Sequence, residues 1–289
     1  MERISDISVL NQSIEGARRQ GLTVGLVPTM GFLHRGHLSL VKAARAACDF
    51  VVVSIFVNPT QFAPGEDLED YPRNLQRDEA LLQEEGVDVV FLPSVADMYP
   101  RGFNTLVKVG EEMTSKLCGK SRPTHFNGVT TVVAKLFNLV RPHKAFFGQK
   151  DAQQLSIIRR MVKDLNFNIE ILSGPIVREE DGLALSSRNV YLSEEERRDA
   201  RVLSQSLGVA RAMVGEGILE SRRIIHEMQS LVAGTPRARV DYIEIVDPET
   251  LEPLERIAGK ALVALAVYVG KTRLIDNWLL EDQNVSDNV

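Results

Sequence analysis

Phe50 to Val57 reads Phe-Val-Val-Val-Ser-Ile-Phe-Val. It is rich in β-branched residues and almost continuously apolar, without the in–out alternation of a strand that has one wet face. Such a run fits a strand buried on both sides, the situation of a parallel sheet covered by helices. The flanking chain agrees. Leu22 to Pro28 is a short apolar run, and His37 to Asp49 carries apolar residues at helical spacing. Leu75 to Glu85 is predicted helical and Val87 to Leu92 extended; Asn127 to Val140 helical, Ala145 to Phe147 extended, and Asp151 to Leu165 helical. Strands alternating with helices of about ten or more residues predict a doubly wound, Rossmann-like α/β domain with a parallel sheet.

The pattern changes near Gly174-Pro175 and Asp181-Gly182. Beyond it, Ser193 to Val214 and Leu219 to Ala233 are predicted helical, the first opened by a Ser193–Glu196 capping box. Three strand-like runs follow: Arg239 to Val246, Lys260 to Val269 and Thr272 to Leu280. Helices followed by strands predict a smaller α+β C-terminal domain. The expected division is 1–175 as a nucleotide-binding domain and 176–289 as a lid; a length of 289 residues suits about two domains. Asp282 to Val289 is polar and expected to fray.

Two cysteines, Cys48 and Cys118, cannot build a disulfide framework. The longest apolar run, Ala261 to Val269, falls well short of the roughly 18 residues of a spanning helix. The first residues, Met-Glu-Arg-Ile-Ser-Asp, contain no signal-peptide core. A net charge of −5 speaks against wholesale binding to nucleic acid or membrane, while leaving room for a local cluster of cations. The expectation is a cytoplasmic protein acting on small molecules.

Pro28-Thr29-Met30-Gly31-Phe32-Leu33-His34-Arg35-Gly36-His37 lies between the first strand and the first helix. In a parallel sheet this is the carboxyl edge, where ligands bind. A helix N-terminus supplies N–H groups and the positive end of a dipole for phosphate. Three readings remain open: a tight turn, half of a metal site, and a nucleotide-phosphate site in which imidazole N–H groups donate to phosphate oxygens. Asn58-Pro59-Thr60 reads as a turn, whereas the amide of Gln61 suits a ligand with hydroxyl and carboxylate groups. At Phe147-Gly148-Gln149-Lys150-Asp151-Ala152-Gln153-Gln154, Asp151 and Gln154 have capping-box spacing. Lys150 opposes the helix dipole there unless an anion is present. Leu185-Ser186-Ser187-Arg188-Asn189 combines short donors with a forked cation, or is a solvated loop. Lys120, Arg122 and His125 form a basic loop, equally suited to bind an anion or nothing. Asp78 or Glu79 could reach a metal or line a solvated helix face, so the metal ligands stay unassigned. Neither a nucleophile triad nor a GxxxxGK[ST] or GxGxxG loop at the first strand end is present.

PTMGFLHRGH resembles the HxGH signature of the nucleotidyltransferase superfamily. Together with FVNPTQF, FFGQKDAQQ, LSSRN and YIEIVDPETLEPL, in that order, it is similar to the pantothenate synthetase (pantoate–β-alanine ligase) family. The resemblance implies ATP- and Mg²⁺-dependent joining of (R)-pantoate to β-alanine through a pantoyl-adenylate, releasing AMP and pyrophosphate, by a cytoplasmic homodimer. It implies ATP contacts from Met30, Gly31, Phe32, Leu33, His34, Arg35, Gly36 and His37, from Gly148, Gln149, Lys150 and Asp151, and from Val177, Leu185, Ser186, Ser187 and Arg188. Catalytic roles fall to His34, His37, Lys150 and Arg188, pantoate contacts to Gln61 and Gln154, and the β-alanine contact to Gln61. Arg35 and Thr124 depart from the residues common in the family. The competing functions are a different HxGH adenylyltransferase, a nucleotide-sensing module without turnover, and a metallohydrolase built on His34 and His37.

Overall fold

The computed structural model describes residues 1–281; the tail from Asp282 to Val289, expected to fray, lies outside the described residues. In chain order the elements are β1 (Glu2–Ile4), α1 (Ile7–Arg19), β2 (Val24–Thr29), α2 (Arg35–Ala47), β3 (Phe50–Ile55), α3 (Leu75–Glu84), β4 (Val89–Phe91) and α4 (Val95–Met98). Two single turns, α5 (Glu111–Thr114) and α6 (Cys118–Ser121), precede α7 (His125–Val140), β5 (Lys144–Gly148), α8 (Ala152–Asp164) and β6 (Glu170–Gly174). Then come α9 (Glu194–Asp199), α10 (Val202–Gly215), α11 (Ser221–Ala233), β7 (Ala238–Val246), β8 (Ala261–Val269) and β9 (Thr272–Leu280). The chain divides into two compact units. The first holds Met1–Gly110, Arg122–Gln149 and Ile157–Val177; the second holds Glu111–Ser121, Lys150–Ser156 and the chain from Arg178 onward.

The first unit is built on a parallel sheet in the order β1-β4-β3-β2-β5-β6. From β2 the chain steps outward through β3 to β4, then returns to the other side of β2 for β5 and β6. The direction of winding therefore reverses between β2 and β5, the switch point where α/β sheets open a crevice at the strands' carboxyl ends. The register shows that opening. β2 pairs with β3 up to Thr29 opposite Ile55, but with β5 only at Gly25–Lys144 and Leu26–Ala145. Pro28, which has no N–H to contribute to a ladder, lies just past the point where β2 and β5 part. As expected of a central strand, Val51, Val52 and Val53 are buried. Leu40, Val41 and Ala44 of α2 pack on Val27, Val51 and Val53 in one cluster.

The second unit has an antiparallel meander, β7-β8-β9. Its central strand, β8, is apolar on both faces, and Val263 and Leu265 share a core with Leu203 and Leu207 of α10 and Ile224 and Met228 of α11. The predicted helix over 193–214 is two helices. Ser193 and Glu196 form the expected capping box at the start of α9, and the ladder is interrupted at Ala200 and Arg201 before α10. Both residues keep right-handed helical dihedrals (φ −59° and −61°), so the apolar spacing runs through the break. Two further strands, the single-turn helices α4, α5 and α6, and one longer helix, α1, escaped the sequence reading. β1 and β6 each pair with a single neighbour, and edge strands need no continuous apolar run. In α1 the signal is present: Leu10, Ile14 and Ala17 are buried on one face, and the Asp6 carboxylate accepts from Ser8 N and Val9 N at 2.7 and 3.0 Å.

Candidate active site

The PTMGFLHRGH segment leaves β2 and starts α2 in the first unit. Gly31 (φ 83°) and Phe32 (φ 49°) reverse the chain. A side chain at Gly31 would be strained, and its Cβ would stand 2.9 Å from Ile55 Cγ2 and 3.2 Å from Asp78 Oδ2. The second of these contacts identifies a residue whose role the sequence concealed. Asp78, on α3, is 1% exposed and not on a solvated face. Its Oδ2 accepts from Phe32 N at 2.7 Å and its Oδ1 from Leu33 N at 2.8 Å. Arg77 Nη1 donates to the Leu33 carbonyl at 3.0 Å. Burial pushes the Asp78 carboxyl above its usual range, against the two N–H bonds and the Arg77 charge. Asp78 and Arg77 thus clamp the loop that delivers the histidines.

An amide in place of that carboxylate can accept only one of the two N–H bonds and turns its own NH2 toward the other. Asp78→Asn is therefore expected to lower stability by about 1–3 kcal/mol, the cost of an unsatisfied buried donor. The check is the urea midpoint at neutral pH; an unchanged midpoint would show that the clamp contributes nothing.

His34 is the N-cap of α2, and its Nδ1 accepts from Gly36 N at 3.1 Å. His37, in the first turn, accepts at Nδ1 from His34 N at 3.4 Å. The rings stack with centroids 4.0 Å apart. Because both rings accept at Nδ1, the proton of each neutral imidazole sits on Nε2. The pair therefore acts as two Nε2–H donors beside a helix N-terminus. Among the described residues there is no group of three His, Cys, Asp or Glu that could hold a metal ion. Arg35 is exposed. Thr124 has φ −98°, a backbone open to any residue.

Gln61 lies in the same unit, in a 3₁₀ turn over Pro59–Gln61. Asn58 caps this turn, so the turn reading of Asn58 holds, but the residue is only 1% exposed and does more. Its Nδ2 donates to Gln61 Oε1 at 2.9 Å and to the Gly128 carbonyl at 3.2 Å. Gln61 Nε2 in turn meets Met30 Sδ at 3.4 Å. The basic loop proves to be scaffold. His125 Nδ1 lies 2.8 Å from the Gln61 carbonyl, and Arg122 is spent on a two-pronged ion pair with Glu66, at 2.6 and 2.7 Å.

Burial raises the Glu66 carboxyl, but the Arg122 hydrogen bonds and charge outweigh it and leave it below its usual range. A lowered folded value means stabilisation that is complete above the unfolded value and lost as pH falls through the folded one. Glu66→Gln should therefore cost stability at neutral pH, with the gap to the unsubstituted chain closing below about pH 4, near the ordinary glutamate range. Urea midpoints across that range test this; a gap independent of pH would mean the ion pair is not its source.

Gly148 ends β5 on the other side of the switch point, followed by Gln149 in a 3₁₀ turn. Val177, half-buried, follows β6. The remaining expected site residues belong to the second unit. There Asn277 Nδ2 donates to the Lys150 carbonyl at 2.9 Å, which fixes the backbone at that lysine, and Asp151 lies 3.9 Å from the ammonium. Gln154 is half-buried, whereas its neighbour Gln153 is structural. Gln153 is 5% exposed; it donates to Met113 O and Lys116 O and accepts from Cys118 N. In the Leu185-Ser186-Ser187-Arg188-Asn189 stretch, Ser186 Oγ accepts from Arg188 N at 3.3 Å and caps a 3₁₀ turn. Leu185 and Ser187 are buried, and Ser186 and Arg188 are half-buried.

The sequence model of the pantoate-beta-alanine ligase family matches residues 2–279. A pantothenate synthetase from Acetivibrio thermocellus is 55% identical over 97% of this chain and 100% of its own length. One from Moorella thermoacetica is 54% identical over 97% and 99%. Among solved structures, the pantothenate synthetase from Thermus thermophilus is 50% identical with a TM-score of 0.91, covering 96% of this chain and 99% of that one. The pantoate-beta-alanine ligase from Francisella tularensis, complexed with beta-gamma ATP and beta-alanine, is 36% identical with a TM-score of 0.79, covering 96% and 97%.

Proposed function

The chain belongs to the pantoate–β-alanine ligase family, and from that premise we propose how its residues carry the ATP-dependent condensation of (R)-pantoate with β-alanine. The observation that carries the reading is the pair of Nε2–H donors on His34 and His37 at the N-terminus of α2, on the carboxyl edge of β2.

In the first half-reaction the pantoate carboxylate attacks the α-phosphorus of ATP. A P–O bond forms to give pantoyl-adenylate, and the bond to the leaving pyrophosphate breaks. Two anions must approach one another, so donors aimed at the phosphates where charge develops lower the barrier. His34 and His37 donate to phosphate oxygens, and the dipole of α2 adds to their effect. Met30 to His37, Gly148, Gln149 and Val177 are the proposed ATP contacts of the first unit. Lys150, Asp151 and Leu185 to Arg188 are those of the second, with Lys150 and Arg188 neutralising phosphate charge. Gln61 and Gln154 hold pantoate through neutral hydrogen bonds.

In the second half-reaction the β-alanine amine, having lost a proton, attacks the acyl carbon, the C–O bond to AMP breaks, and pantothenate leaves. Gln61 contacts β-alanine in this step. The mixed anhydride must be kept from water, the proposed task of residues 176–289 as a lid over the nucleotide-binding part, 1–175. Mg²⁺ is proposed to arrive as MgATP. When bound, such an ion would be held chiefly by substrate phosphates and water. Among the described residues no helix is long and apolar enough to cross a membrane. A cytoplasmic homodimer is the expectation from family membership.

The test is AMP release from ATP, Mg²⁺ and pantoate, with and without β-alanine. Steady turnover only with both acids supports the reading. Pyrophosphate release without turnover would remove the amine step, and no AMP under any combination would overturn the assignment.

A further inference from the structure

Outside the groups already given roles, a half-buried tyrosine touches Asn58 and Thr60, beside Gln61. Tyr99, just past α4, lies with its hydroxyl 2.8 Å from Asn58 Oδ1 and 3.2 Å from Thr60 Oγ1. Two backbone groups decide the orientation of the Asn58 amide. The Gly128 carbonyl can only accept, so it must face Nδ2; the Thr60 N–H, 3.3 Å away, can only donate, so it must face Oδ1. With Nδ2 turned toward Gln61, the atom of Gln61 that meets it must be Oε1. The Gln61 NH2 then points the other way, against Met30 Sδ, a weak acceptor that an oxygen of a ligand readily outcompetes. The donors therefore run in one direction: Tyr99 O–H to Asn58, Asn58 N–H to Gln61, and Gln61 N–H outward. Burial pushes the Tyr99 phenol up against the pull of its Thr60 and Asn58 hydrogen bonds, so it stays a donor throughout the working pH range.

We propose that Tyr99 is a positioning residue for the ligase reaction: with Thr60 Oγ1, which donates to the same Asn58 Oδ1 at 2.9 Å, it holds the Asn58 amide in place so that Gln61 keeps its NH2 aimed at the acceptor oxygens of pantoate. A reversed Gln61 would turn a carbonyl oxygen toward a carboxylate; the backbone partners of Asn58 set that sign, and Tyr99 holds the position. The inference rests on the reading of Gln61 as a pantoate contact.

Tyr99→Phe tests it, because the ring keeps its edge contact with Phe103 at 5.1 Å and its neighbour Phe56 at 6.2 Å, and the fold should survive. The KM for pantoate is expected to rise about fivefold, the scale of one neutral hydrogen bond, while the KM for ATP stays put. In a Gln61→Ala background the same change should add less than about twofold, because a relay has nothing left to orient. The side-chain NH2 resonances of Gln61, assigned by their loss in Gln61→Ala, should shift in Tyr99→Phe without any substrate present. Unmoved resonances, additive effects, or KM values for ATP and pantoate rising together with a lowered Tm would each overturn the proposal. A Gln61→Ala chain with an unchanged pantoate KM would overturn the pantoate reading itself, and the relay's purpose with it.

Discussion

His37→Ala is expected to slow adenylate formation by about 10²–10³-fold, the scale for removing one preorganised donor from a developing charge. The KM for pantoate should hardly change. The asymmetry follows from where the ring stands. His37 belongs to the first turn of α2, stacked on His34 at 4.0 Å, and its remaining donor is Nε2–H because Nδ1 accepts from the backbone. A donor there meets phosphate oxygens, which gain charge as pyrophosphate leaves, so it contributes most in the transition state. Such a loss lowers kcat and kcat/KM together. Single-turnover pyrophosphate release measures it. The variant also deprives His34 N–H of its partner, so the melting temperature must accompany the kinetics. A pantoate KM that rises in step with the falling rate would refute a transition-state role for His37.

The second large effect is expected from a single methyl group. In Gly128→Ala the new Cβ would lie 2.3 Å from the Thr60 carbonyl oxygen, 2.5 Å from Thr60 C and 2.7 Å from Gln61 N. These are backbone atoms and cannot rotate aside. To reach even 3.4 Å, an ordinary contact, α7 and the Pro59–Gln61 turn must separate by roughly an ångström, a displacement that costs about 10²-fold when it moves a group that orients substrate. Overpacking of this kind destabilises by about 1–3 kcal/mol or more. Alanine's better helix propensity, about 1 kcal/mol, offsets only part of it. Gly128→Ala should therefore lose at least tenfold in kcat/KM for pantoate, by analogy with such displacements, and melt at a lower temperature. Unchanged melting and an unchanged kcat/KM would show that the turn yields freely and does not hold Gln61.

The residues for which sequence reasoning worked and those for which it failed differ in kind. FVVVSIFV announces a central parallel strand because burial on both faces is written in the run itself. The Ser193–Glu196 box is equally local, three residues apart along the chain. Asp78 is the opposite case. On a helix with charged neighbours its identity suggests a wet face or a metal, and nothing local says that its oxygens meet N–H groups 45 and 46 positions earlier. Arg122 and His125 read as a basic loop that either binds an anion or binds nothing, and nothing local says that Glu66, 56 positions earlier than Arg122, already neutralises the arginine.

What the amino-acid order determined by itself is the alternation of strands and helices, the carboxyl-edge position of PTMGFLHRGH, and the ordered motifs that mark the family. These depend on periodicity and on residue type at fixed spacing, which a chain carries before it folds. Tertiary structure alone decided which donor each histidine offers, which way the Gln61 amide faces, and why Gly128 has no side chain. Each depends on partners brought together from distant segments, such as Asn58 with Tyr99 and Gly128, 41 and 70 positions away. A buried polar group must satisfy whatever donor or acceptor the fold places beside it, and that neighbour is a property of the packed chain.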